Sequence, residues 1–209
     1  MTINIVNLNQ IKKTTDSYQS NLMIVTKNQS LEDIQKLYDL GHRIFGENRV
    51  QEAMTKFSNF KFNDIDLNLI GPLQTNKVNE ALALFDTIQS IDREKLVYEI
   101  KKKINSNRFI KTKNYFIQIN IGNENQKSGI KKEDINDFFC FCIDAGLKII
   151  GLMCIPPLNE NPEVYFREMV NIRNGLNPNL KLSMGMSGDY ECALKNESSI
   201  IRVGSMIFQ

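Results

Sequence analysis

Residues 22–40 read LMIVTKNQSLEDIQKLYDL, and the change of period within this stretch decides the fold. Leu22–Lys27 is a short apolar run with strand character, closed by Thr26 and Lys27. Ser30 then offers a capping side chain, with Asp33 three residues on, and apolar residues recur at helical spacing up to Leu40. Gly41 follows, a residue suited to closing a helix. The turn between strand and helix is Lys27-Asn28-Gln29. An open doubly wound sheet usually announces a dinucleotide with GxGxxG at this point, and no such glycines stand here.

Outward from this unit the same alternation continues. Strand-like runs cover His42–Glu47, Leu67–Leu73, Thr87–Asp92, Tyr115–Ile121, Lys148–Ile155, Leu182–Ser187 and Ile200–Phe208. Helix-like segments lie between them at Arg49–Phe57, Asn76–Leu84, Arg93–Ile104, Lys132–Ala145, Pro162–Asn174 and Asp189–Asn196. Helical crossovers imply parallel strands covered by helices. The expected fold is α/β, a single (β/α)8-type TIM barrel forming one domain over residues 1–209. The amphipathic segment before Leu22 is expected to cover the barrel's bottom or side as an extra helix.

Composition narrows the function classes. The 209 residues carry a net charge of +2, with acids and bases interspersed, which argues against a nucleic-acid surface. Apolar residues are 42% and charged residues 24%, a globular balance. No apolar window has the length of a membrane span, and Met1–Ser20 lacks the apolar stretch of a signal peptide, so a cytoplasmic protein is expected. The four cysteines, Cys140, Cys142, Cys154 and Cys192, form no CxxC pair, and His42 is the sole histidine. Buried thiols, a structural or surface His42 and no metal site are the expectation.

Active sites in such barrels lie at the C-terminal ends of the strands. Lys27 ends the first run and faces either solvent at the rim or the barrel mouth. In the mouth, desolvation and nearby cations free an amine to attack an aldehyde. Loops after strands seven and eight frequently hold phosphate, and here they read Gly185-Met186-Ser187-Gly188 and Gly204-Ser205. Glycine admits backbone N–H groups to an anion and serine adds donors. A helix starting near Asp189 would add its positive N-terminal end. Arg202 interrupts the apolar Ile200–Val203, where a buried guanidinium is costly without an acceptor. A ligand's ring nitrogen or phosphate could accept from it, and so could Glu47 or Asp92 as an internal ion pair.

The ordered set Val25-Thr26-Lys27, Phe45-Gly46-Glu47-Asn48, Ile70–Lys77, Lys127-Ser128-Gly129, Gly151-Leu152-Met153, Ser183–Ser187 and Arg202–Phe208 spans almost the whole chain. It resembles the pyridoxal phosphate homeostasis protein family. The resemblance implies a barrel like the N-terminal domain of bacterial alanine racemases, with pyridoxal 5′-phosphate held as a Schiff base on Lys27. It also implies that Ser187, Gly204 and Ser205 hold the phosphate, that Arg202 faces the pyridine nitrogen, and that Asn48 lines the cofactor's other edge. The family is associated with balancing pyridoxal phosphate, amino-acid and keto-acid pools, and has no well-established reaction.

Three readings follow. The first is a non-enzymatic monomer that stores, buffers or delivers pyridoxal phosphate, with apo-enzymes as recipients. The second is a slow racemase of the alanine racemase type, and the third a barrel enzyme acting on a sugar phosphate through Lys27. Arginine only donates, so at the ring nitrogen it would leave that atom unprotonated and weaken the electron sink that Cα chemistry uses. The racemases named by the resemblance take a second base, a tyrosine, from a further domain, and this chain ends at the last expected strand. Tyr190 near the expected mouth could substitute, but a packing or surface role is the expectation for it. The family pattern often has a second lysine and a proline after the Schiff-base lysine, where Gln29 and Ser30 stand here, and both chain ends are short, so thin cover over the barrel's closure is expected.

Overall fold

The computed structural model describes residues 2–58, 64–106 and 109–208. Strands β1 (Asn21–Val25), β2 (Ile44–Glu47), β3 (Asp66–Leu69), β4 (Thr87–Ile91), β5 (Asn114–Ile119), β6 (Ile149–Cys154), β7 (Lys181–Ser183) and β8 (Ile200–Val203) run parallel in chain order and close into a barrel. At the closing seam, Asn21–Ile24 stand opposite Ile200–Val203 in register. Helices α2 (Leu31–Asp39), α3 (Val50–Phe57), α4 (Val78–Leu84), α5 (Glu94–Ser106), α6 (Ile135–Asp144), α7 (Pro162–Leu176) and α8 (Tyr190–Lys195) fill the crossovers. The Ser30 hydroxyl accepts from the Asp33 N–H at 3.1 Å, so α2 starts where the sequence places its cap.

Three strands stop well before the ends of their apolar runs. Beyond Leu69 the chain turns through Gly71-Pro72, beyond Ser183 it turns at Gly185 with φ +91°, and beyond Val203 it turns at Gly204. The end of the last run does not extend β8. It folds back so that Phe208 bridges Ile3 in antiparallel fashion.

The N-terminal segment forms α1 (Ile5–Ser17), on the barrel's side between β8 and β1. Its start is pinned to the turn after β8: the Asn4 N–H donates to Ile207 O at 2.8 Å and the Asn7 amide to Met206 O at 3.0 Å. Leu8, Ile11 and Thr15, spaced along one helix face, are buried. The β8–β1 seam therefore has its own helix, and the thin cover expected there is not observed. Among the described residues seven α-helices lie in crossovers, and α1 takes the eighth place in the ring.

The main core lies between the strands' outer faces and the helices, around wholly buried Phe45, Phe85 and Phe166. A second, smaller cluster of Met23, Phe116, Met153 and Ile200 sits apart from it. These residues alternate with the strands' outward positions and share parity with Val25, Gln118, Ile155 and Arg202, so they fill the barrel interior. A Cβ at Gly151 would lie 2.2 Å from the Phe116 ring, and the glycine is what lets that ring cross the interior.

Candidate functional site

A cavity of about 360 Å³ opens at the C-terminal ends of the strands, within the size range of small-cofactor sites. Lys27, Asn48, Gln118, Lys127, Met186 and Arg202 are among its walls. Lys27 follows β1 on an exposed turn whose next residue, Asn28, adopts φ +61°, a left-handed conformation asparagine tolerates. Its side chain both meets solvent and lines the mouth. Asn48 follows β2 and is held by close backbone packing: a Cβ at Gly71 would fall 2.1 Å from Asn48 O.

Arg202 lies on β8 at the cavity, 3% exposed. Neither carboxylate considered from sequence is its partner. Glu47 sits behind the barrel wall with Lys56 at 2.9 Å, and Asp92 pairs with Arg93 at 2.5 Å. The guanidinium donates instead to neutral acceptors, Ser183 Oγ at 2.9 Å and Cys154 O at 2.8 Å. Burial pushes its pKa down from the ordinary value. Two of its five N–H donors are thus engaged among the described residues.

From Arg202 a line of hydrogen bonds crosses the barrel. Ser183 Oγ donates to Gln89 Oε1 at 2.6 Å, Gln89 Nε2 to Asn68 Oδ1 at 2.9 Å, and Asn68 Nδ2 to Asp66 Oδ1 at 3.0 Å. Every donor points away from the cation and toward the carboxylate. The dipoles therefore add, and they connect a buried positive charge to a negative one through neutral groups. Asp66 lies at the opposite end of the barrel, where burial, then the nearby Asp86, raises its pKa.

The two serine loops converge. Ser205 Oγ donates to Ser187 Oγ at 3.0 Å, and Gly204 sits against β1, where a Cβ would meet Val25 O at 3.1 Å. Ser187 lines a neighbouring depression rather than the Lys27 cavity, which its neighbour Met186 lines. The helix expected near Asp189 is α8, with Asp189 at its N-cap. Helix α8 has six residues, the N–H groups of Asp189 and Tyr190 go to Met186 O, and the Asp189 carboxylate takes the Met186 N–H at 2.6 Å.

Tyr190 is buried with its hydroxyl on Glu191 at 3.2 Å, and burial raises its pKa. It does not line the Lys27 cavity. His42 is buried, and its pKa is lowered by burial and then by Lys12 and Arg43. Cys142 and Cys154 are buried, each thiol pushed up to about 12 by desolvation, whereas Cys140 is exposed and Cys192 half-buried, against the expectation of buried thiols throughout. Among the described residues no group of three or more His, Cys, Asp or Glu side chains could hold a metal ion, and no helix is long and apolar enough to cross a membrane.

Sequence reasoning missed Gln118. Its Nε2 donates to Ser128 O at 3.1 Å, which turns Oε1 the other way, and that buried oxygen has no partner among the described residues. The signal was present: a glutamine inside the apolar run Tyr115–Ile121, two residues before Asn120. Asn120 organises the adjoining loop through Glu124, donating to its carbonyl at 2.8 Å and accepting from its N–H at 3.1 Å. Lys127 donates to Pro156 O at 3.1 Å and pairs with the Glu124 carboxylate.

Residues 5–209 match the family model described as alanine racemase, N-terminal domain. A pyridoxal phosphate homeostasis protein from Aquifex aeolicus (strain VF5) is 37% identical over 186 residues, covering 85% of this chain and 81% of that one. PipY of Synechococcus elongatus PCC7942, in its structure with PLP bound, superposes with a TM-score of 0.82 at 27% identity, covering 97% of this chain and 98% of PipY. Alanine racemase from Oenococcus oeni shares the fold, with a TM-score of 0.72 at 15% identity, over 99% of this chain and 63% of the racemase.

Proposed function

This chain belongs to the pyridoxal phosphate homeostasis protein family, and from that premise we propose that it stores, buffers or delivers pyridoxal 5′-phosphate held through Lys27. Binding of the cofactor and a part in its homeostasis are its function; delivery to apo-enzymes, action as a monomer and a cytoplasmic setting extend that reading.

The residues present fit the group. The cavity combines an amine (Lys27), a buried cationic donor (Arg202) and a bare acceptor (Gln118 Oε1), with two hydroxyls and a close-packed glycine beside it. When bound, the cofactor supplies an aldehyde carbon that an amine can bond and a phosphate that donors can grip. Lys27 would take the aldehyde, Ser187, Gly204 and Ser205 the phosphate, Arg202 the ring nitrogen, and Asn48 an edge of the ring.

One observation favours holding over turnover. Among the described residues, no tyrosine, histidine or carboxylate lines the cavity. Inverting Cα by the two-base route, with a proton taken from one face and another returned to the opposite face, needs a second base opposite Lys27, and the cavity's other lysine, Lys127, is committed to Glu124 and Pro156.

The test is solvent deuterium incorporation into L- and D-alanine by the cofactor-loaded protein, with Lys27→Ala as the blank. Negligible formation of deuterated D-alanine from L-alanine, or the reverse, is expected. Turnover of about one per second or faster would replace the carrier by the racemase. Unphosphorylated pyridoxal should bind at least about tenfold more weakly, because the charge-assisted bonds to phosphate are lost; equal affinity would remove the serine loops from the site.

A further inference from the structure

The Lys27 side chain is long and has no hydrogen bond or ion pair among the described residues, so only its backbone can aim it. That backbone is held from behind. Thr26, just after β1, and Glu47, at the end of β2, project outward from the wall, toward α3. Thr26 Oγ1 donates to Glu47 Oε1 at 2.7 Å. Lys56, on the last turn of α3, donates to Thr26 O at 2.7 Å, to Glu47 Oε1 at 2.9 Å and to Glu52 Oε1 at 2.6 Å. The same Glu52 oxygen accepts the N–H of Asn28, the residue in the left-handed conformation. The ions are shielded: side-chain exposure is 0% for Glu47, 11% for Lys56 and 24% for Glu52.

We propose that Lys56, together with Glu47 and Glu52, is the positioning device of Lys27, an ionic clamp outside the barrel wall that fixes the peptide units on both sides of the lysine. All three ammonium protons of Lys56 are engaged, and it links the carbonyl before Lys27 to the carboxylate that holds the N–H after it. Without the cation, two carboxylates face each other, the Thr26 carbonyl loses its donor, and the left-handed turn at Asn28 loses its support. The lysine then samples orientations away from the cavity, and a reaction that depends on a held geometry loses its entropic advantage.

This inference rests on Lys27 as the point of attachment. In that attachment the Lys27 nitrogen bonds the aldehyde carbon and gives up its two protons, and the carbonyl oxygen leaves as water, so nothing is oxidised or reduced. A defect of aim weakens this covalent step while leaving the cavity's grip on ring and phosphate intact. Two ligands separate these effects: pyridoxal 5′-phosphate, trapped by borohydride and mapped, and pyridoxine 5′-phosphate, which has no aldehyde.

Lys56→Met should lower the equilibrium for adduct on Lys27 by about tenfold, with pyridoxine 5′-phosphate affinity within about twofold of the parent. Lys56→Arg should recover most of the adduct. Glu52→Gln, which leaves the deeper Glu47–Lys56 pair in place, should shift the adduct the same way by about threefold and covers the case of a poorly folding Lys56→Met. Parallel losses for both ligands would reduce the cluster to a purely structural role, and unchanged adduct in Lys56→Met or Glu52→Gln would overturn the proposal. An unmodified protein that traps no adduct on Lys27 would instead overturn the attachment site itself.

Discussion

Two cations, one buried and one largely shielded, stand on opposite sides of the same barrel wall and are handled in opposite ways. Lys56, outside, meets two carboxylates and a carbonyl, all contributed by β1, β2 and α3. Arg202, inside, meets a hydroxyl and a carbonyl, and its nearest hydrogen-bonded carboxylate, Asp66, is reached only through Ser183, Gln89 and Asn68. The difference follows from what each cation faces. A full counter-ion beside Arg202 would compete with an anionic or electron-rich ligand for the guanidinium. Neutral dipoles orient it and leave its charge and remaining donors to the cavity. Lys56 faces no ligand, so full pairing costs the site nothing.

The contrast is sharpest in stability. Lys56→Met strands two carboxylates in a largely buried setting and should lower the unfolding free energy by about 3–5 kcal/mol in urea titrations at pH 7. Arg202→Met removes a cation with no adjacent counter-ion, so relief of desolvation offsets the lost hydrogen bonds and the change should stay below about 2 kcal/mol. An Arg202→Met loss as large as that of Lys56→Met would break the comparison. Gln89→Leu cuts the interior line and leaves Ser183 and Asn68 without their partner, costing about 1–3 kcal/mol.

The pH dependence tests the outer cluster. Burial raises the Glu47 pKa above its ordinary 4.5, against the lowering effect of Thr26 and Lys56. Its contribution is complete below the unfolded pKa and declines as pH rises through the folded one. Glu47→Gln, which does not titrate, should therefore gain on the parent protein as pH climbs from about 4 upward. A gap that stays constant across that range would deny Glu47 any shift. The smallest effect is expected at the far end of the interior line, where half-buried Asp66→Asn keeps an acceptor for Asn68 and should change stability by less than about 1 kcal/mol.

The sequence makes the alternation of periods legible because each unit is local: Ser30 caps its helix three residues on, and Lys27 and Arg202 stand at strand ends where polarity interrupts an apolar run. Strand lengths are overread where hydrophobicity continues past the last paired residue, as in Ile70–Leu73 and Met206–Phe208. Burial alone cannot distinguish a strand from the turn that packs beside it. The polar interior is legible only in part. Asn68, Gln89 and Gln118 are visible as polar residues inside apolar runs, but Ser183 and Gln89 meet across 94 residues of chain. That meeting depends on which strands face each other across a closed barrel, and only closure sets it. Glu47 is misassigned for a related reason: being at a strand's C-terminal end does not say which face of the wall it leaves from.

The bridge between Ile3 and Phe208 has a practical meaning for protein engineering. Two positions so far apart in sequence are neighbours in space, so a short Gly/Ser linker can join them without redirecting α1 or the turn after β8. New ends could then be opened in a solvent-exposed connection at the other end of the barrel, such as the one between α7 and β7, giving a circular permutant with the same ring of strands.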